Sequence, residues 1–465
     1  MTRALVLGGG FAGVLFALAL AEHVDEVALV EGATYRGAGE RNGLPQAHHN
    51  HVLVSGGARA LDQLLPGCVQ DVLAHGAHHR GLSEGTLILH ADGWFRRQPS
   101  EAGLLSCSRW QLDHLIRRRT LASGTIRLLT GTRALGLSGD ARRVDGVVVR
   151  RPNGGVETLA ADLVVDATGR RSKAAAWLAE IGGPAVDEEK VDSGLAYATR
   201  FYRAPEDLAS RIPAIMLHPP ATSGPARGAT LFPIEGGRWI VTLTGTHGGH
   251  PPVDEAGFAA FARDLRSGVV AELMACAVPL GPVRPYRNTW NRRRYFERTS
   301  MPGGLLVVGD ALVAVNPVHS HGMSVAAISA LRMRERLSRD GPSPALFPEL
   351  QAVIAAEAER SWRMATDVDR ARIGGSSTRD ERTEYQRRVQ ESAARKRLNG
   401  RALMSELFRA QALLPPDPTS GRERFRELTE GSDRLLTEDE AIGQYPGLAE
   451  WWAARAGRRE LRSAA

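Results

Sequence analysis

The run Ala4-Leu5-Val6-Leu7-Gly8-Gly9-Gly10-Phe11-Ala12-Gly13 restricts the fold more than any other stretch of the chain. An apolar strand ends in a glycine turn, an apolar helical run continues to Ala21, and a second strand closes on Glu26-Val27-Ala28-Leu29-Val30-Glu31. Glycines at 8, 10 and 13 let the turn be tight, let the backbone approach a pyrophosphate and let the helix pack on its strand. Phosphates would then sit at the helix N-terminus, beside Phe11 and Ala12, where free amides and the macrodipole favour negative charge. Glu31 stands at the spacing of an acidic residue that binds a ribose hydroxyl. The expectation is a Rossmann-like nucleotide-binding α/β domain.

Two later segments repeat the strand-to-glycine-loop pattern. Leu163-Val164-Val165 runs into Asp166-Ala167-Thr168-Gly169-Arg170-Arg171-Ser172, and Gly304-Leu305-Leu306-Val307-Val308 runs into Gly309-Asp310. Loops at the carboxyl ends of parallel strands converge on a ligand, so both are candidate cofactor contacts. After Asp310 come Asn316-Pro317-Val318-His319-Ser320-His321-Gly322-Met323 and a helical run to Leu337. Pro317 fixes that loop, and Gly322 lets the helix start lie close to a ring system. Ser108 caps an amphipathic helix with Arg109 in its first turn, where a cation opposes the dipole and a phosphate or ribose partner would explain it. The loop after Glu31 offers Arg41 and Gln46 as further contacts.

A chain of 465 residues exceeds one ordinary core. Residues 1–185 and 285–340 read as a discontinuous nucleotide-binding domain with a β-meander at 144–165. Residues 186–284 read as an antiparallel sheet domain that walls a substrate pocket, and 341–465 as a helical C-terminal region. The formal charge is +7, carried by arginine, because lysine occurs only at 173, 190 and 396. The short runs Arg117-Arg118-Arg119 and Arg292-Arg293-Arg294 read as solvated helix faces, and no nucleic-acid motif accompanies them. His48, His49 and His51 lack the spacing of metal ligands, and Cys68, Cys107 and Cys276 form no CxxC pair, so no metal site is expected and the thiols suit a cytoplasmic protein. The first strand begins too early for a signal peptide, and no apolar run is long enough to span a bilayer.

Together the three loops resemble those of FAD-dependent monooxygenases of the hydroxybenzoate-hydroxylase type, and most closely the flavin epoxidases of bacterial polyether biosynthesis that act on lasalocid- and monensin-type polyenes. The residues that carry the resemblance are Arg41-Asn42-Gly43-Leu44-Pro45-Gln46-Ala47-His48 with His51, Ser55-Gly56-Gly57-Ala58-Arg59, Val191-Asp192-Ser193-Gly194, Tyr197-Ala198-Thr199-Arg200, Pro233-Ile234-Glu235-Gly236-Gly237-Arg238-Trp239, Asn291-Arg292-Arg293, and Gly309-Asp310 with Asn316-Pro317 and His321-Gly322-Met323-Ser324.

The resemblance implies that FAD is held by Gly8, Gly10, Phe11, Ala12, Gly13, Glu31, Arg41, Arg109, Gly169, Asp310, Pro317, Gly322 and Met323. It implies molecular oxygen as co-substrate, an alkene of an apolar polyketide or terpenoid intermediate as substrate, and epoxidation as reaction. Tyr197, Thr199, Phe232 and Trp239 are the side chains expected to face that substrate. His319 and His321 would polarise the activated oxygen; the chemistry otherwise belongs to the flavin. Where hydroxylases carry Asp-Gly this chain has Thr168-Gly169, so reduction by NADPH or NADH is expected either directly or through a separate flavin reductase. Where the polyether enzymes carry Tyr-Gly-His-Gly it has His319-Ser320-His321-Gly322, which sets bulk beside the ring. A halogenase is disfavoured, since no lysine precedes Lys173. A flavin-dependent reductase of isoprenoid double bonds, a non-epoxidising hydroxylase and a non-enzymatic nucleotide-binding regulator are the competing readings.

Overall fold

A computed structural model describes residues 1–36, 40–41, 45–122, 124–219, 225–246, 248–373, 400–416 and 435–463. The opening strand Arg3–Leu7 is central to a five-stranded parallel sheet ordered Ile126–Thr130, Glu26–Glu31, Arg3–Leu7, Leu163–Asp166, Leu305–Val307. Apart from the edge strand Ile126–Thr130, its strands are near-continuous Val, Leu and Ala because helices and the strand Val144–Arg150 bury them in one core. The register pairs Leu7 with Val30 and with Asp166, and Asp166 with Val307. The carboxyl ends of these strands therefore lie side by side, and the three glycine loops leave from one edge.

The helices Phe11–Ala21, Gly322–Asp340 and Phe347–Ile373 share one core with this sheet, through Leu15, Phe16, Ala327, Ala330, Phe347 and Leu350 among others. The meander differs in composition from its expectation. Its strands are Arg133–Gly139, Val144–Arg150 and Val156–Ala160, whereas Leu163–Asp166 pairs in parallel with Arg3–Leu7. Burial on both faces makes Leu163–Asp166 a central strand.

The second large sheet has seven strands, ordered Val278–Tyr286, Ala196–Arg203, Arg238–Gly245, Arg227–Ile234, Ala214–Leu217, Thr86–His90, Gly93–Trp94. It is antiparallel except where Ala214–Leu217 runs beside Thr86–His90. Alternation along its strands separates two faces. Ala198, Tyr202, Leu231, Trp239, Val241 and Leu243 face outward against the helices Glu255–Arg263, Val269–Cys276 and Glu438–Gly443. Phe232, Ile234 and Ile240 face inward, with Val52, Val54, Leu104 and the helix Gly400–Gln411.

Arg292-Arg293-Arg294 is not a solvated helix face. It forms the buried strand Asn291–Arg294, between Glu188–Val191 and Val313–Ala314. Burial of these guanidinium groups is tolerated because each is matched. Arg293 pairs with Glu297 at 2.8 Å and with Glu359, Arg294 pairs with Glu188 at 3.0 Å, and Arg292 donates to the Arg170 carbonyl. Of the other run, Arg117 is buried and Arg118 exposed on the helix Arg109–Leu121. Among the described residues no helix is long and apolar enough to cross a membrane, and no three of His, Cys, Asp and Glu converge as metal ligands.

Candidate active site

The glycine turn is built for close approach. Gly8 has φ +97°, and a Cβ there would stand 2.6 Å from the Ala167 carbonyl oxygen; one at Gly13 would stand 1.7 Å from that of Gly8. No side chain larger than hydrogen fits either place. Gly10 precedes the helix Phe11–Ala21 without a side-chain cap, and no acid occupies the first turn, so the helix start presents its amides to an anion. Glu31 is 3% exposed and accepts the N–H of Gly9 and of Ala33, each at 2.6 Å. It thereby ties the end of the second strand to the glycine turn.

The other two loops meet the first. In the second, Thr168 donates its N–H and hydroxyl to Asp166 Oδ1 at 2.9 and 2.6 Å, and Ser172 donates its hydroxyl to Oδ2. Burial pushes the Asp166 carboxyl above its ordinary range against those bonds. Gly169 turns through φ +77°, with its Cβ position 4.0 Å from the Asp310 Cβ. In the third loop, Gly309 has φ +58° and its Cβ position is 3.1 Å from that of Ala12. The Asp310 side chain is 42% exposed and its Oδ2 lies 3.7 Å from Arg170 Nε. The same guanidinium donates to the carbonyls of Trp290 (2.8 Å) and Val315 (2.6 Å). Arg170 was given no role by the sequence; its only signal was its place after Gly169.

Arg109 joins the glycine turn to the last loop. Its Nε pairs with Asp113 at 2.8 Å, Nη1 lies 2.8 Å from Met323 Sδ, and its guanidinium stands 5.4 Å from the Phe11 ring centre. Phe11, Arg109 and Met323, singled out separately in the sequence, are thus neighbours. The loop they border begins with Asn316, whose side chain accepts the Val318 N–H at 3.2 Å, and forms the single turn Pro317–His319. Ser320 then adopts φ +58°, and the helix starting at Gly322 has neither a side-chain cap nor an acid in its first turn. Gly322 sits beside Asp310, its Cβ position 3.6 Å from Oδ1.

His321 does not have the freedom its expected role requires. It is 3% exposed and its Nε2 is 2.9 Å from the Gln411 carbonyl oxygen. A carbonyl only accepts, so Nε2 carries the proton and Nδ1 is a bare lone pair. Burial lowers the imidazole pKa to about 4. At neutral pH its only N–H is committed to Gln411, and it has none left to donate to a second acceptor. His319 is partly exposed on the turn Pro317–His319.

On the inner sheet face, Thr199 Oγ1 lies 2.9 Å from His49 Nδ1 and 2.8 Å from Thr242 Oγ1. The His49 ring meets Tyr197 and Tyr286 at centroid distances of 4.9 and 5.2 Å, and the two tyrosines stack at 5.1 Å. Burial raises the Tyr286 hydroxyl pKa in this aromatic wall, with the charges of Arg170 and Asp310 acting on it in opposite senses. Burial, reinforced by His51 and His48, lowers the His49 pKa to about 3; burial and the neighbouring Arg109 do the same at His51. His51 Nδ1 donates to the His49 carbonyl at 2.9 Å. The resemblance carried His48 and His51, and His49 between them was missed.

The four expected substrate residues divide. Tyr197 and Thr199 lie together on this wall. Phe232 lies on the same face but within the apolar cluster of Ile240, Phe95 and Phe408. Trp239 belongs elsewhere: it is fully buried on the outward face, and its Nε1 donates to the Ala209 carbonyl at 3.1 Å. Strand alternation sends it away from the loops. The backbone of Arg41 pairs with Tyr35, while the side chains of Arg41 and Gln46 lie outside the described residues.

The sequence model of the FAD binding domain matches residues 1–338. Protein Rv3254 of Mycobacterium tuberculosis is 28% identical over 379 residues, 78% of this chain and 77% of that protein. The 6-methylpretetramide 4-monooxygenase of Streptomyces rimosus is 27% identical over 381 residues, 78% and 82% of the two chains. Among solved structures, the flavin-dependent brominase Bmp2 superposes with a TM-score of 0.65 at 16% identity, covering 92% of this chain and 98% of its own. The p-nitrophenol 4-monooxygenase PnpA of Pseudomonas putida superposes at 0.61 with 18% identity, covering 94% and 100%. At such identities the structural likeness establishes the fold.

Proposed function

The chain belongs to the FAD-binding-domain family of flavin-dependent monooxygenases, and on that premise we propose that it epoxidises a carbon–carbon double bond of a largely apolar polyketide or terpenoid molecule. FAD supplies the activation of molecular oxygen once it has been reduced. The observed residues fit it: the cradle around Gly8 and Gly13 excludes any Cβ, two helix starts are free of acids, and Asp310 is exposed enough to accept hydroxyls. In this reading the turn Gly8 to Gly13 binds the pyrophosphate, Glu31 and Asp310 accept ribose and ribityl hydroxyls, and Gly169 leaves room beside Asp310. Arg109 holds Met323 and Phe11 in place, and the loop 316–323 orients the ring. NADPH or NADH is the electron source, directly or through a separate flavin reductase.

The observation that carries epoxidation is the character of the wall on the inner face of the seven-stranded sheet. Tyr197, Tyr286 and Thr199 surround His49, an imidazole held neutral with a pKa lowered to about 3. Such a group is a poor base. Oxygen transfer to an alkene removes no proton from the substrate, so this wall needs only to orient the double bond and exclude water. A second reading, hydroxylation of an aromatic ring, is favoured by the likeness to a 6-methylpretetramide 4-monooxygenase and by the stacked pair Tyr197 and Tyr286, which suits a flat ring system.

The deciding experiment supplies the purified protein with FAD, a reducing system, isotopically labelled dioxygen and a panel of polyenes, prenylated compounds and aromatic polyketides. A product carrying one labelled oxygen that opens to a diol in acid supports epoxidation. A labelled phenol supports hydroxylation. A product that gains two hydrogens and no label identifies a double-bond reductase and defeats both readings.

A further inference from the structure

The family match ends at residue 338, yet the loop 316–323 is held from beyond it at both ends. At its start, the Asn316 N–H donates to Asn291 Oδ1 at 2.6 Å. The Asn316 and Asn291 side-chain amides both donate to Asp369 Oδ2, at 3.3 and 2.6 Å, and this carboxylate is fully buried on the helix Phe347–Ile373. At its end, His321 Nε2 donates to the carbonyl of Gln411, the last residue of the helix Gly400–Gln411.

The segment 400–416 is fastened as a strap. Met404 and Phe408 are buried in the inner apolar cluster. The Ala412 carbonyl accepts from the Gly56 N–H at 2.8 Å, and the Leu414 carbonyl accepts from Arg360 Nη1 at 3.1 Å. Gly56 is required for the first of these approaches, because a Cβ there would stand 2.4 Å from the Leu413 carbonyl oxygen. Two non-glycine residues with left-handed backbones flank the bond between loop and strap, Ser320 at φ +58° and Leu413 at φ +55°. Such conformations persist where the surroundings over-determine them.

We propose that the strap 400–416 is the positioning element of the flavin-facing loop, and that His321 is the positioning residue through which it sets FAD affinity and the environment of the bound ring. The Gln411 carbonyl fixes the His321 tautomer, and burial leaves water little access to replace the bond. A loop released from the strap regains backbone freedom that FAD binding must then remove, so the affinity falls. The inference rests on membership of the FAD-binding family and is independent of which reaction the enzyme performs.

The test uses the full-length protein and three variants. His321→Leu removes the donor while filling the space, His321→Gln keeps an amide donor at similar reach, and Gly56→Ala pushes the strap away without touching the loop. The readouts are the FAD Kd of apo-protein from flavin fluorescence titration, the visible absorption spectrum of bound FAD and the thermal unfolding of apo-protein. Loss of one buried hydrogen bond with its ordering corresponds to about tenfold in affinity. His321→Leu and Gly56→Ala are expected to bind FAD about tenfold more weakly with a shifted flavin spectrum, and His321→Gln within about threefold of the parent. Unchanged Kd and spectrum in Gly56→Ala overturn the proposal even if apo-protein stability drops, because the strap contact is then purely structural. His321→Gln as impaired as His321→Leu overturns it too. Should His321→Leu fail to fold, Gly56→Ala against His321→Gln decides on the same readouts.

Discussion

Acid should open the site before it unfolds a typical α/β core, because His49, His51 and His321 are held neutral by burial, and His49 and His321 can be tested together. The pKa of His49 is lowered from 6.5 to about 3 and that of His321 to about 4, in each case chiefly by burial. Above pH 6.5 both are neutral in the folded and the unfolded chain, and neither contributes a pH dependence. Below it the unfolded chain takes up protons that the folded chain refuses, so stability falls as pH falls until the folded pKa is reached. Each pH unit in that window is worth about 1.4 kcal/mol per group. By pH 4 each histidine has removed about 3 kcal/mol and the pair about 6 kcal/mol. This is of the order of the whole stability of a domain, ~5–15 kcal/mol. The assay is the urea midpoint of the full chain between pH 7 and 4, for the parent and for His49→Gln/His321→Gln. The parent should lose stability steeply from about pH 6 downward, and the double variant should lose less by several kcal/mol, the remainder reflecting His51 and the carboxylates. Parallel loss in the two proteins would refute the assignment of these imidazoles as buried and neutral.

Three further outcomes follow from particular contacts. Thr199→Val strands His49 Nδ1 and the Thr242 hydroxyl and should destabilise by about 2–3 kcal/mol, whereas adding Thr242→Val should recover part of that loss, since apolar replacement of both partners is nearly neutral; a double-mutant cycle that proves additive contradicts the hydroxyl pair. Trp239→Phe should cost about 1–2 kcal/mol through the lost bond to Ala209 and the smaller ring, yet leave kcat and product distribution unchanged, as steady-state kinetics and mass spectrometry of products would show. Gly309→Ala imposes a Cβ on a left-handed backbone 3.1 Å from that of Ala12, and equilibrium dialysis should find FAD retention reduced at least about tenfold; full retention would move the cofactor away from this loop.

Most of the parallel-sheet half was legible in the primary structure because its determinants are local. A glycine before a helix, an acid at a strand end and an apolar strand running into Gly-Asp are read from neighbours in the chain, and the parallel sheet then places such loops along one edge. Sheet faces were harder. Trp239 and Phe232 lie in adjacent, strongly patterned strands, and each is equally apolar in sequence; only pairing Pro233 with Trp239 shows which side is inward. Arg292-Arg293-Arg294 looked solvated because charge is the strongest cue to exposure, and the acids that neutralise it, Glu188, Glu297 and Glu359, come partly from distant segments.

The amino-acid sequence alone determined the glycine turn, the two further strand-end loops and the FAD-binding family, since each depends on backbone geometry that a few glycines and one acid encode locally. Tertiary structure decided what each polar side chain is free to do. His321 and His319 are alike in sequence, but a carbonyl ninety residues further on, at Gln411, holds the single N–H of His321. His49 has no distinguishing mark beside His48 and His51, yet Thr199 and two tyrosines gather around it from strands that begin far along the chain. Proton positions and burial are properties of such long-range packing, which no local pattern records.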